Sequence, residues 1–115
     1  MGYKDAGKHA MLNALGALTT HVAAYTDDAG TTEVTGGTYA RKAITWSAAD
    51  AGAMAASNQP LFDIPASTTV KAIGFMSAIS GGTQYAFANV TDEAFTNAGT
   101  YTLTAATLDL LNDPA

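Results

Sequence analysis

The side chains of this 115-residue chain that could carry chemistry are two histidines and one cluster of acids. His9 and His21 bear the imidazole groups that exchange protons near neutral pH or bind metals. Asp27, Asp28 and Glu33 could place several oxygens around a calcium ion. Each kind of site requires several groups that converge on one point.

Neither group has the spacing of such a site. The two histidines fall on different predicted elements, with no carboxylates near them at ligand spacing. The acidic cluster departs from the calcium-loop pattern, and aspartate side chains also stabilise turns through their own hydrogen bonds. We therefore predict a surface turn over 26–30 and a loop at Asp92 and Glu93. The sequence predicts no catalytic, cofactor-binding or metal-binding residues.

Motifs for a serine nucleophile or a bound nucleotide are also absent from the sequence. No serine lies in a Gly-x-Ser-x-Gly pattern, and no glycine-rich loop precedes a helix. The pairs Gly36-Gly37 and Gly81-Gly82 are instead typical of tight turns. Some of the aromatic residues could form a sugar-stacking platform if exposed, although aromatic residues on strands more often belong to the core. These are Tyr25, Tyr39, Trp46, Phe75, Tyr85 and Tyr101.

The composition indicates a single domain, over 1–115, that depends on packing and assembly. A chain of this length can bury one core, and without cysteine it has neither disulfides nor cysteine-based metal sites. Charged residues make up 13% of the chain, about half the usual share. So few charges favour a surface that is partly covered by other subunits.

Charge and hydropathy argue against two classes of partner. The net charge is -5 and the basic residues are scattered, so no surface that follows phosphates is expected. No apolar run approaches the ~20 residues of a membrane span. We therefore expect protein partners, with neither nucleic acid nor membrane insertion. The basic residues are Lys4, Lys8, Arg41, Lys42 and Lys71.

One helix is predicted near the N-terminus, behind a short arm. Asp5 can cap its first turn, and we expect the helix to end near Thr19 or Thr20. Two glycines weaken it by roughly 1 kcal/mol each relative to alanine, so it should depend on packing against a sheet. The apolar stripe for that contact is Met11, Leu12, Leu15 and Leu18.

Extended patterns follow the helix. His21–Tyr25 alternates, with Val22 and Ala24 on one face, and Tyr39–Trp46 alternates with Ile44 and Trp46 as core anchors. The alanine-rich segment 47–57 is predicted to be irregular. Apolar residues between the prolines at 60 and 65 predict a short strand at a sheet edge. A last strand over 100–104 precedes a short polar tail.

The run Val70–Ile79 is apolar on both faces, and Ser80–Thr83 closes a hairpin onto a further strand over Gln84–Val90. In a sandwich one face packs on the opposite sheet, so the second face must meet the N-terminal helix or another subunit. We assign Val70, Ala72 and Met76 to one face and Ile73, Phe75 and Ile79 to the other. Together, the predicted elements indicate a mainly β fold, an antiparallel β-sandwich of about seven strands with one N-terminal α-helix.

Several segments together resemble a known protein family. The glycine turn followed by Tyr39-Ala-Arg-Lys, with its Thr45-Trp46 ending, is the most distinctive part. The resemblance is to small virion proteins of tailed bacteriophages, labelled tail-fibre or minor structural proteins and typical of phages that infect actinobacteria. The segments that carry it are Asp5–Leu15, Glu33–Trp46, Phe62–Val70 and Ser80–Thr83.

The resemblance implies a non-enzymatic virion component without cofactors, made in the bacterial cytoplasm. It would be present in multiple copies as a tail-fibre component or a capsid decoration. Its partners would be capsid or tail proteins and further copies of itself. The two-sided strand and the N-terminal arm supply the expected interface residues, which are Tyr3, Lys4, Val70, Ile73, Phe75, Met76 and Ile79.

Two other functions fit the sequence. One is a glycan-binding receptor-recognition module of the host-attachment apparatus, which would use exposed tyrosine and tryptophan side chains and loop carboxylates. The other, less favoured, is a small hydrolase, which would need a cleft with two carboxylates at catalytic separation.

Overall fold

Strand and turn formers dominate the sequence. The computed structural model describes residues 3–109, and this part of the chain contains one helix and eight strands. The helix α1 spans Asp5–Leu18. The strands are β1 (His21–Tyr25), β2 (Lys42–Ala43), β3 (Ala53–Ala55), β4 (Leu61–Ile64), β5 (Thr68–Met76), β6 (Gln84–Phe95), β7 (Gly99–Thr102) and β8 (Thr107–Asp109). The predicted polar tail lies mostly outside the described residues.

The strands form three antiparallel sheets. The largest has four strands in the order β2-β1-β5-β6, and β3-β8 and β4-β7 form two-stranded sheets. The prediction of a mainly β, sandwich-like fold with one helix near the N-terminus is confirmed, with eight described strands in place of about seven. The molecule is elongated, with extents of 47 × 23 × 23 Å.

A single large apolar cluster joins the three sheets and α1. The four-stranded sheet contributes one face of β1 and β5, and the two small sheets and Leu12 of α1 pack against it. Burial of this shared cluster therefore holds the layers together. Its buried members are Leu12, Val22, Ala24, Val34, Ile44, Met54, Phe62, Ile64, Val70, Ile73, Phe75, Leu103 and Leu108.

Helix α1 ends where the sequence predicts but begins differently. Its last residue is Leu18 and its C-cap is Thr19, whose N–H donates to the carbonyl of Leu15. The N-cap is Lys4, which makes no side-chain capping bond, so the predicted cap at Asp5 is wrong. Asp5 already lies in the first helical turn, whereas a capping residue must have extended backbone. The negative charge of Asp5 in the first turn still interacts favourably with the positive end of the helix dipole.

The predicted strand over 39–46 is mostly absent, because this segment crosses from one sheet to another. Only Lys42–Ala43 is a strand, paired with β1. The N–H of Ile44 then donates to the carbonyl of Thr20, while Ser47 donates to Ala55 beside the next sheet. Ile44 is buried, and Trp46 packs on the core while half-buried, so both contribute to the core as predicted.

Strand β5 is buried on both faces, as predicted, but its faces differ from the prediction. A register shift between Val70 and Ala72 places Val70 in the main cluster with Ile73 and Phe75. A β-bulge inserts an extra residue, so the side chains that follow it point to the opposite face of the sheet from the one that strict alternation predicts. Sequence alternation alone does not show where a bulge lies. The predicted grouping of Val70 with Ala72 and Met76 is therefore wrong.

The second face of β5 is covered by the chain itself and not by α1 or another subunit, which corrects the expectation. Ala23, Tyr25, Ala72 and Met76 form a small second cluster there. The Tyr25 ring lies directly on Gly74, and its hydroxyl donates to the Met76 sulfur at 3.4 Å. The Tyr25 ring, with the Gln84 side chain beside it, thus covers the face for which the sequence predicts another element.

The β5–β6 hairpin forms at the predicted glycine pair. Gly81 and Gly82 have φ values of 63° and 72°, in the left-handed region that favours glycine. Strand β6 is longer than predicted and includes Asp92 and Glu93, with Glu93 opposite Val70. The predicted loop at these acids is therefore wrong. The sequence also did not predict β8, or β3 within the irregular segment.

Candidate interaction surface

Most of the interface residues expected from sequence lie inside the chain. Four of them are buried within the single protein, because β5 is an inner strand of the four-stranded sheet and contributes residues to both apolar clusters. They therefore offer no surface to a partner. The buried residues are Val70, Ile73, Phe75 and Met76, and the exposed ones are Tyr3, Lys4 and Ile79.

Among the described residues, three of the seven exposed large apolar side chains lie on the β5–β6 hairpin, and the others are Tyr3, Met11, Leu18 and Leu61. Ile79, in the turn after β5, is 62% exposed, and Phe87 on β6 is 47% exposed. Tyr85, at the start of β6, is also exposed. We call these three residues the hairpin surface. Exposed apolar area of this kind on one hairpin is a candidate contact site.

The turn of this hairpin is bound by the guanidinium of Arg41, which together with Glu33 we call the Arg41 brace. Arg41 donates from Nε and Nη2 to the two carboxylate oxygens of Glu33, at 3.0 and 2.9 Å. Its Nη1 donates to the carbonyls of Ala78 and Gly81, at 3.0 and 2.8 Å. The side chain is 9% exposed, so these bonds are largely shielded from water. The brace fixes the hairpin turn to the loop before β2.

Tyr39 completes this network. Its hydroxyl donates to Glu33 at 2.8 Å and accepts the N–H of Ala24 at 2.9 Å, while its ring stacks on Phe62 with centroids 6.2 Å apart. Tyr39 therefore joins β1, the loop and the core, and its ring face is already occupied.

The ionisation of these groups follows from their contacts. Burial alone would raise the pKa of Glu33, but hydrogen bonds from Arg41 and Tyr39 outweigh it and hold the pKa below its usual value. The hydrogen bond to Glu33 raises the pKa of Arg41, and burial raises the pKa of Tyr39 well above its ordinary range. The brace is thus a fixed ion pair at neutral pH rather than a proton-transfer site.

A shallow groove of about 420 Å³ lies between the Arg41 brace and the hairpin turn. Its lining includes Ile79, Ser80 and Gly81 from the hairpin turn, and Gly36 and Tyr39 from the segment before β2. The groove is open to solvent and adjoins the hairpin surface, so a partner docked on Ile79 would also cover it.

The acids and histidines that could carry chemistry have structural roles. Asp27 accepts hydrogen bonds from Thr31 and Thr32, which closes the predicted turn and lowers the pKa of Asp27. His9 accepts the N–H of Gly52 at 3.3 Å, and His21 lies 2.9 Å from the Thr20 hydroxyl. Within residues 3–109, no three potential ligands come together to hold a metal ion.

The aromatic platform considered from sequence is not assembled. Tyr25 and Phe75 are buried, and Trp46 packs against Phe75 with ring centroids 6.1 Å apart. Of the six candidates, Tyr85 is the exposed one, and Tyr101 is half-buried. The exposure of Phe87 was not predicted, because an exposed phenylalanine on a strand has the same local pattern as a core residue.

The described part of the chain has no helix long and apolar enough to cross a bilayer. In comparisons with known proteins, a family model described as Podophage GP4 fiber I protein gp80 matches residues 13–110. No curated protein and no solved structure matches the chain.

Proposed function

Since the chain belongs to the family of the podophage GP4 fiber I protein gp80, we propose that this phage fibre protein is a non-enzymatic structural component of the virion surface, present in several copies. The observation that carries the proposal is the family match over residues 13–110, which includes all the strands described. The virion surface would be built through protein–protein contacts. No cofactor is needed for such a role.

The hairpin surface is the contact site that we propose for neighbouring virion proteins. It supplies exposed apolar area, and the Arg41 brace holds the turn in one position before binding. A preorganised apolar surface loses little entropy on binding. Tyr3 and Lys4 of the N-terminal arm are exposed and remain a second proposed contact.

Electron cryo-microscopy of intact particles tests where the protein lies. We expect density for this chain, recognisable by its elongated β fold, along a fibre. Density in many copies over the capsid lattice would instead make it a decoration protein, and the fibre assignment would fail. The actinobacterial host and synthesis in the host cytoplasm are parts of the same proposal, supported by the motif resemblance and tested by infection of candidate hosts.

Incorporation of variants into particles tests the contact site. Ile79→Asp should reduce the amount of this protein per purified virion at least tenfold, because a carboxylate replaces an apolar contact. Ile79 lies in a turn and is mostly exposed, so the substitution should leave the fold intact, as circular dichroism would verify. Ile73→Asp would not serve, because Ile73 is buried and the variant would report on folding.

A matched control is Leu61→Asp, which alters an exposed apolar residue on β4, outside the hairpin. We expect Leu61→Asp to be incorporated as the unaltered protein is. Equal incorporation of both variants would show that the hairpin surface does not contact the virion.

Glycan binding is the second candidate function, and the exposure of the Tyr85 ring favours it. Stacking of a sugar on Tyr85 would be abolished by Tyr85→Ala without loss of fold. Tyr39→Ala is a poor test, because Tyr39 stacks on Phe62 and bonds Glu33. Absence of binding by the unaltered protein on a broad glycan array would argue against this function.

A further inference from the structure

The outer edge of β6 has no strand beside it in the described part of the chain. β6 is an end strand of the four-stranded sheet and pairs with β5 along its other edge. Along its outward edge, alternate residues direct N–H and C=O groups to solvent. At 12 residues β6 is about twice as long as an average strand, whereas the opposite edge strand, β2, has two residues. An edge of this length is a template for another strand.

Proteins commonly protect such edges with charges, prolines or bulges. Here the protection is limited to the ends of β6. Bulges or irregularities occur near Tyr85 and between Asn89 and Glu93, and the strand's charges are Asp92 and Glu93. Between them, Ala86–Asn89 pairs regularly with β5 and carries neither charge nor proline. This central segment is therefore an open and regular edge.

We propose that Ala86–Asn89 is the site at which a second copy of this chain pairs edge to edge, antiparallel, about a two-fold axis near Phe87 and Ala88. The inference rests on the proposed function, which needs several copies, and it names the surface that joins them. The two four-stranded sheets would become one continuous sheet of eight strands. Such an interface is isologous, since the same segment is used by both copies.

The charges of β6 favour this arrangement. With the axis at residue 87 or 88, Asp92 of one copy and Asp92 of the other lie about 30 Å apart at ~3.4 Å per residue. That is several times the Debye length of ~8 Å at physiological ionic strength, so the acids do not repel each other appreciably. Parallel pairing in register would place Asp92 directly beside Asp92. The acidic end of β6 thus disfavours parallel pairing and permits antiparallel pairing.

The side chains of the segment also suit a second copy. A two-fold axis perpendicular to the sheet keeps equivalent faces of the two copies on the same side. Phe87, which is 47% exposed in one chain, would then lie beside its equivalent or beside Asn89 of the second copy. Ala86 and Ala88 are too small to obstruct the approach. The pairing therefore buries the apolar surface of Phe87, and it also gives hydrogen-bond partners to the N–H and C=O groups on the outer edge of β6.

Engineered cysteines test the arrangement, because the chain has none of its own. Residues opposite each other in an antiparallel pair have Cα atoms ~4.5–5.5 Å apart, within the range that a disulfide spans. We expect Ala88→Cys or Phe87→Cys, under oxidised glutathione, to form a cross-linked dimer at least tenfold faster than Leu61→Cys, an exposed control on another sheet. Asp92→Cys should cross-link no faster than that control. Fast cross-linking through Asp92→Cys alone would overturn the proposal in favour of parallel pairing.

Sedimentation of the full chain separates this inference from the proposed function. The unaltered protein should form dimers, and Phe87→Lys, folded by circular dichroism, should raise the dissociation constant at least tenfold. A protein that is monomeric at high concentration would overturn the edge pairing, while its presence in fibres could still be observed. Dimers that are unchanged by Phe87→Lys, with no fast cross-link through either Phe87→Cys or Ala88→Cys, would also overturn it and place the self-contact elsewhere. Absence of the protein from fibres would refute the proposed function alone.

Discussion

Arg41 links two segments of the chain that are 40 residues apart in sequence. Its guanidinium has five N–H donors in a planar fork, and here the fork engages the Glu33 carboxylate and two turn carbonyls. A lysine could not satisfy the same acceptors, because its ammonium is a compact charge without that planar fork. Arg41 and its acidic partner thus fix the hairpin turn relative to the loop before β2.

Removal of the acidic partner should destabilise the protein. Glu33→Ala leaves a nearly buried guanidinium with half of its acceptors missing, which should lower the free energy of unfolding by about 1–3 kcal/mol. Urea denaturation of the variant and of the unaltered protein measures this difference in the free energy of unfolding. Asp92→Ala is the control, because Asp92 and Lys71 are solvent-exposed and 3.9 Å apart, and an exposed pair contributes at most ~1 kcal/mol. Equal effects of the two substitutions would contradict a stabilising brace.

The brace should also make stability depend on pH in the acid range. The folded pKa of Glu33 lies below the ordinary value of 4.5, so its contribution is present above pH 4.5 and is lost as the pH falls through the folded pKa. Glu33→Gln cannot titrate. The difference in unfolding free energy between the unaltered protein and Glu33→Gln should therefore shrink as the pH is lowered from 5 toward the folded pKa of Glu33. A difference independent of pH would contradict this ionisation.

At the scale of elements, two glycines without unusual backbone angles have opposite roles. At Gly74, in β5, the Tyr25 ring packs directly onto the strand. A Cβ atom added to Gly74 would lie 2.7 Å from Nε2 of Gln84. Around Gly7, in α1, no atom beyond its chain neighbours and the nearby helix backbone lies within 4 Å of that place. The first glycine is required by packing, whereas the second only weakens its helix.

Alanine at the two positions should shift stability in opposite directions. Gly74→Ala should destabilise by about 1–3 kcal/mol, because the methyl group displaces Tyr25 from the second cluster. Gly7→Ala should stabilise by roughly 0.5–1 kcal/mol through helix propensity. Thermal unfolding of both variants, compared with the unaltered protein, tests these two opposite changes in stability. Tolerance of Gly74→Ala without loss would mean that Tyr25 does not cover β5 as described.

At the scale of the whole molecule, three sheets share one apolar cluster, and neither of the two small sheets has a core of its own. β3-β8 and β4-β7 have two strands each, and isolated two-stranded sheets are marginally stable in water. Their stability must come from the four-stranded sheet that they cover. This dependence predicts that the domain unfolds as one unit.

Cooperative unfolding can be measured with the single tryptophan. Trp46 packs on Phe75 of β5, so its fluorescence reports on the main cluster, while far-UV circular dichroism reports on all strands. The two urea transitions should coincide. Phe62→Ala, in β4, should lower both midpoints together, at a cost of about 3–5 kcal/mol. Two separate midpoints would show that a small sheet unfolds by itself.

The sequence by itself determined the features whose cause is local. Alternation gave β1 its two faces, the glycine pair at 81–82 set the hairpin, and the prolines bounded β4. Each follows from the period of a strand or from the backbone angles of one residue, so neighbouring residues suffice to predict it. The motifs that resemble phage virion proteins likewise belong to the primary sequence.

Only the tertiary structure decided which apolar residues face solvent. Val70 and Phe87 both read as strand residues with apolar side chains, but a bulge turns Val70 into the core and an edge position leaves Phe87 exposed. The cover of β5 by Tyr25 and the bonds of Arg41 to a turn 40 residues away also join distant segments. Strand order, register and long-range contacts are not determined by local periodicity, and the location of the interaction surface depends on all three.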